Sequence, residues 1–118
     1  MKTANKEFAI PTGLSRKGRK AAQTIVKTAK EVFGPDVSTG GCVSFYSPKE
    51  WAERGESYGQ NSELIVVYDG GDLRYLMSLD AAYDMGSYEW TEKMREALSS
   101  LGLFAEECTC WYSAVYCQ

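Results

Sequence analysis

Four groups of side chains in this 118-residue chain could do chemistry. Asp69-Gly70-Gly71-Asp72 sets two carboxylates on a tight turn. With Asp80 and Asp84 folded back, they could hold Mg²⁺ or Ca²⁺ and activate a water for hydrolysis. Turn chemistry is the stronger reading, because Gly-Gly between strands is what a hairpin needs and the loop lacks the ligand count of a calcium site. Cys108-Thr109-Cys110 puts two thiols on one side of an extended chain, and Cys42 and Cys117 bring the sulfur ligands to four. The Cys-x2-Cys knuckles of zinc sites are missing, which favours buried free thiols over a zinc-stabilised adaptor. No metal and no cofactor is expected. Arg16, Lys20, Lys27 and Lys30 fall on one helical face, with Lys17 and Arg19 near its start. This row could neutralise phosphates, although a helix needs a solvated polar face in any case. Aromatics form the fourth group, with eight tyrosines and three tryptophans. Nucleotide recognition needs charge and stacking together, so Arg74 beside Tyr75 is the candidate phosphate grip, with Tyr46, Trp111 and Tyr112 as stacking partners.

The chain contains no histidine, which removes every imidazole mechanism: Ser/His/Asp and Cys/His nucleophiles, and the commonest zinc ligand. A catalytic cysteine would need a helix N-terminus or a neighbouring cation to lower its pKa. Net charge is −3, unevenly spread. Through Phe33 there are eight Lys/Arg against two acids, a local +6, and beyond it five against 14, a local −9. A basic helix on an acidic body follows, paired with that body in its own or a neighbouring subunit, or offered to an anion. The acidic body would repel a long nucleic acid. With 44% hydrophobic residues and 25% charged, the chain reads as one α+β domain over residues 1–118, with 1–13 a flexible or extended arm. Neither a signal peptide nor a membrane span is expected, since the longest apolar run is Leu64 to Tyr68, so the expected location is the cytoplasm with reduced thiols.

These residues need elements to hold them. A first helix is predicted from Arg16 to Val32, capped by Ser15, ended by Gly34-Pro35 and buried along Ala22, Ile25, Ala29, Val32 and Phe33. Cys42 to Tyr46 reads as a strand, and Ser47-Pro48-Lys49-Glu50 as a helix start with a capping box, leading a face of Trp51, Gly55 and Tyr58. Glu63 to Tyr68, apolar on both faces, reads as a central strand pairing in parallel with the previous one through that helix. Leu73 to Met77 is expected to return antiparallel through the two-glycine turn. A third helix over Tyr88 to Leu101 carries a stripe of Trp90, Met94, Ala97, Leu98 and Leu101, and Leu103 to Thr109 and Trp111 to Tyr116 form one bent or two short terminal strands. The sum is a mixed, mostly antiparallel sheet of about four strands with three helices. Because the central strand's second face has few helices to cover it, a two-fold homo-oligomer is expected.

Ile10-Pro-Thr-Gly-Leu-Ser-Arg-Lys-Gly18, Phe45-Tyr-Ser-Pro-Lys-Glu-Trp51, Asn61-Ser-Glu-Leu-Ile-Val-Val-Tyr-Asp-Gly-Gly-Asp72 and Cys110-Trp-Tyr-Ser-Ala-Val-Tyr116 resemble segments of small phage and prophage accessory proteins. The resemblance implies a viral accessory gene of the anti-defence type, and brings no catalytic residue with it. Such proteins work by binding, either blocking a host defence protein or sequestering a signalling nucleotide. The expected function is therefore a non-enzymatic binder, with a metal-dependent hydrolase at Asp69/Asp72 and a nucleic-acid binder using the first helix as alternatives.

Overall fold

The computed structural model describes residues 8–86 and 88–118, and has an α+β architecture. Helix α1 runs Arg16–Phe33. Ser15 Oγ accepts from the Gly18 amide at 3.0 Å and Gly34, at φ 87°, ends the helix. Its buried face is Gly18, Ala21, Ala22, Ile25, Thr28 and Ala29, with Val32 and Phe33 half-buried. Small residues here let the backbone approach the sheet: a Cβ on Gly18 would lie 2.2 Å from the carbonyl oxygen of Glu63.

Strands β1 (Phe45–Tyr46), β2 (Leu64–Val67), β3 (Leu103–Thr109) and β4 (Tyr112–Cys117) form one sheet in the order β1-β2-β4-β3. Every neighbouring pair is antiparallel. The parallel β1–β2 pairing expected from the sequence is corrected by the register Phe45↔Val66 and Tyr46↔Ile65. A long connection permits either direction. Here α2 (Pro48–Glu53) is only six residues, and the loop after it presses Gly59 onto the sheet, where a Cβ would meet Ile65 Cδ1 at 2.6 Å. The connection therefore folds back over the face of the sheet and enters β2 at the end where β1 leaves off, as an antiparallel pair requires. The capping box at its start is present, with Ser47 and Glu50 exchanging backbone-to-side-chain bonds of 3.0 and 3.1 Å.

Leu73 to Met77 is a second correction. It does not return as a strand but begins helix α3 (Arg74–Met77), followed by α4 (Leu79–Met85) and α5 (Tyr88–Ser99), which makes five helices among the described residues where three are expected. Both edges of β2 are taken, by β1 and β4, so no place in the sheet remains beside it. The two-glycine loop instead locks onto the loop after α1. The Ser38 amide donates to Asp72 Oδ2 at 2.8 Å, the Asp72 amide donates to Ser38 O at 2.7 Å, and a Cβ on Gly71 would lie 2.7 Å from the Thr39 carbonyl carbon. Leu73, Leu76 and Met77, at helical spacing, then turn into the core.

Leu64 and Val66 of β2, with Val115 of β4, face a core built with α1, α3 and α5 and joined by Phe8, Phe45, Met94 and Leu98. Of the expected core, Leu64, Ile65, Val66, Val67, Met94 and Leu98 are buried, while Trp90 and Leu101 are half-buried at its rim. Of the expected N-terminal arm, residues 1–7 lie outside the described ones, and Phe8 is buried 6.3 Å from the Phe45 ring. The opposite face of the sheet carries a smaller cluster in which Trp51 of α2 covers Ile65, Val67, Tyr112 and Ala114. Trp51 thus covers the centre of the face that is expected to need a second subunit.

Candidate functional site

The smaller cluster gathers the aromatics singled out as stacking residues. Tyr46 comes from edge strand β1, Trp111 from the β3–β4 turn and Tyr112 from the start of β4. All three surround Trp51. Its ring lies 5.0 Å from Tyr46, 5.8 Å from Trp111 and 4.9 Å from Tyr112 between centroids, and Trp111 and Tyr112 are edge-on at 4.7 Å. Tyr112 is buried and its hydroxyl donates to Tyr58 O at 3.4 Å, so its ring serves as floor. Tyr46, Trp51 and Trp111 line an open concavity of about 200 Å³ together with Cys42, Val43, Val67, Arg54 and Asp69. Cys42 Sγ donates to the Asp69 carbonyl at 3.2 Å, tying its two loops together.

The cation of this site is Arg54, not Arg74. Arg54, the C-cap of α2, places its guanidinium carbon 4.7 Å from the Trp51 centroid and 5.1 Å from that of Tyr46, with Glu56 Oε2 3.9 Å from Nη2. Sequence reasoning passed over Trp51 and Arg54 as partners, although their i, i+3 spacing on a capped helix puts both on one side. Arg74 sits on α3, on the helix-covered side of the sheet, with its guanidinium 4.7 Å over Tyr75 and an Nη2 bond of 2.6 Å to the Tyr75 hydroxyl. It moves away from the rings because the segment carrying it is helical.

Arg16, Lys17 and Lys20 border a small depression of about 140 Å³ with Leu101 and Leu103, while Arg19 is exposed on the same helix. This depression lies by the start of β2, where Gly18 meets Glu63, whereas Asp69 and the rings lie by its end, on the opposite face. The α1 cations are therefore gathered at one place and the stacking rings at another, where the cation is Arg54. An ion pair joining α1 to the body, Glu31 with Lys93 at 3.7 Å, has the polarity opposite to a basic helix on acidic partners.

The remaining groups stay dispersed. Asp72 is committed to Ser38, Asp69 faces the aromatic concavity, and Asp80 and Asp84 are exposed on α4. All four cysteines are free thiols, Cys110 and Cys117 exposed, and a bulge between Glu107 and Thr109 interrupts β3 at Cys108. Burial pushes the Cys108 thiol up, away from the thiolate a nucleophile requires. Among the described residues, no three His, Cys, Asp or Glu converge on a point that could hold a metal ion.

A larger groove, of about 440 Å³, runs between β3 and helices α3 to α5. Leu76, Met77, Leu79, Met94, Leu98 and Ala105 make its walls apolar, and Thr91, Arg95 and Glu107 supply its polar rim. Arg95 is held by Glu92, and Glu107 Oε1 accepts from the Leu79 amide at 2.7 Å. Leu79 and Phe104 in its lining stand exposed, and no strand pairs with the outer edge of β3 among the described residues.

No protein-family model matches the chain, nor does any curated protein or solved structure. Among the described residues no helix is long and apolar enough to cross a membrane.

Proposed function

We propose that the protein acts by binding and not by catalysis, and that it blocks a protein partner. In the phage-like reading carried by the resemblance, it is an accessory inhibitor of a host defence protein in the host cytoplasm. The observation that carries the protein-partner reading is the 440 Å³ apolar groove lying along the edge of a seven-residue strand that no other strand pairs with among the described residues. Ligand sites of this size and polarity are typical of recognition clefts. An unpaired strand edge offers backbone donors and acceptors to an incoming extended segment, and the adjacent groove takes its alternate side chains. Glu107 lines the groove, Glu106 stands on the other face of the same strand, and Asp80 and Asp84 are exposed on the bordering α4, so the elements flanking the β3 edge carry acidic side chains. The fitting occupant is an extended segment alternating apolar and basic residues. A second copy of β3 is disfavoured, since antiparallel self-pairing centred on Glu106 opposes like charges.

The α1 cations lie away from the aromatic concavity, and the cation within it, Arg54, has Glu56 beside it and shares the pocket with Asp69, which weighs against the sequestered-nucleotide reading. The test is a nuclear magnetic resonance titration with a peptide of alternating leucine and lysine, alongside a panel of linear and cyclic nucleotides. Shifts confined to β3 and the groove, lost in Leu79→Arg, are expected. Shifts elsewhere with the peptide, or saturable binding of a nucleotide instead, would overturn the reading.

A further inference from the structure

We infer that the aromatic concavity on the α2 face is a receptor for an organic cation, an alkylammonium or guanidinium group, whose place Arg54 occupies in the free protein. Three rings from three separate segments wall one pocket: Tyr46 from β1, Trp51 from α2 and Trp111 from the β3–β4 turn. Their negative faces attract a cation set over them, and the attraction grows as water is excluded. A guanidinium already sits at that distance from two of them, so the geometry is one that holds a positive charge.

Arg54 is also replaceable. Its side chain is 46% exposed, and its carboxylate contact, Glu56 at 3.9 Å, is itself partly in water. Trp51, by contrast, is fully buried beneath it. Swinging Arg54 out would bare an indole face already held by the core, without moving backbone. Asp69 lines the same pocket and supplies a negative charge to a bound cation. Its loop is fixed by the Cys42 thiol and by the close passage of Gly40 and Gly70, where a Cβ on Gly40 would lie 2.5 Å from the Gly70 carbonyl carbon. Asp69 and Glu56 oppose a phosphate here, which makes a cation the chemistry this pocket selects. The inference is independent of the groove along β3, and either can fail without the other.

Tetramethylammonium is the simplest probe, read by tryptophan fluorescence and by indole proton shifts, with neutral neopentyl alcohol as its apolar counterpart and adenosine monophosphate as the stacking counterpart. Expected is saturable binding of the cation alone, tightened by about three- to tenfold in Arg54→Ala, which removes the internal competitor. Asp69→Asn should weaken it by about threefold, as an exposed carboxylate would. Trp111→Ala should abolish it while leaving a cooperative unfolding transition in circular dichroism. Failure of Arg54→Ala, folded by the same criterion, to bind tetramethylammonium would overturn the inference. So would equal binding of neopentyl alcohol, or binding of adenosine monophosphate in preference to the cation.

Discussion

The two faces of the sheet are closed in different ways. One is sealed by helices: α1, α3 and α5 lay aliphatic side chains over Leu64, Val66 and Val115, and the Tyr68 hydroxyl and Ser113 Oγ meet at 2.9 Å within this core. The other is held by a six-residue helix and one large side chain, Trp51, with tyrosines, a second tryptophan and an arginine around it. A long amphipathic helix spreads its contacts over many small residues, so each contributes modestly, and the open space on that face lies at its border with β3, away from α1. A single indole concentrates the same task, and its neighbours remain at the surface as walls of a concavity. Stability is therefore distributed on one face, while on the other it is centred on the residue that also shapes the pocket.

The largest test of that contrast is Trp51→Ala. Removing the indole should cost about 3–5 kcal/mol, the range for a buried Trp or Phe truncation. It should also bare Ile65 and Val67, so urea denaturation and light scattering should show both lower stability and new self-association. A comparably small loss would mean that the α2 face is closed by something other than this side chain.

On the helix-covered face the sharpest test is Gly18→Ala. Helix propensity alone predicts a gain of about 1 kcal/mol for alanine over glycine. The added Cβ would lie 2.2 Å from a backbone oxygen that no rotamer change can move aside. Overpacking at a rigid contact costs about 1–3 kcal/mol, so the net effect should be destabilising. Thermal unfolding decides the sign directly.

Tyr68→Phe should cost about 1–2 kcal/mol, since it removes one hydrogen bond and leaves the buried Ser113 hydroxyl unpaired. It also carries a pH signature. Burial pushes the Tyr68 phenol well above its ordinary range, outweighing the Ser113 bond that lowers it. The unfolded chain ionises this phenol near pH 10, whereas the folded chain does not. The associated stability is thus fully present below about pH 10 and is lost as pH rises beyond it. Urea midpoints at pH 8, 10 and 11 should fall less steeply for Tyr68→Phe than for the parent.

The smallest effect is expected from Ser47→Ala. Loss of the cap should cost about 1 kcal/mol, because one N-terminal amide of α2 loses its acceptor. If the α2 face depends on this short helix to aim Trp51, near-ultraviolet circular dichroism should change more than this modest loss suggests.

What the sequence by itself determined is local. The Ser15 and Ser47 caps, the stops at Gly34 and Gly102, the apolar run of β2 and the stripes of α1 and α5 are written in spacings of one to four residues, and hydrogen bonds within the same span enforce them. Strand direction is a different kind of fact. Seventeen residues between β1 and β2 permit either sense, and contact between Gly59 and the sheet selects the antiparallel one. Leu73, Leu76 and Met77 carry helical spacing, yet Gly70-Gly71 fits a hairpin equally well; Ser38, over thirty residues earlier, decides by pairing with Asp72. The same holds for the site. Tyr46, Trp111 and Tyr112 could be named from residue type, but that they close around Trp51, with Arg54 and not Arg74 as their cation, depends on which segments the antiparallel register makes neighbours. Side-chain chemistry is local, and the company each side chain keeps is settled by backbone contacts between residues far apart in the chain.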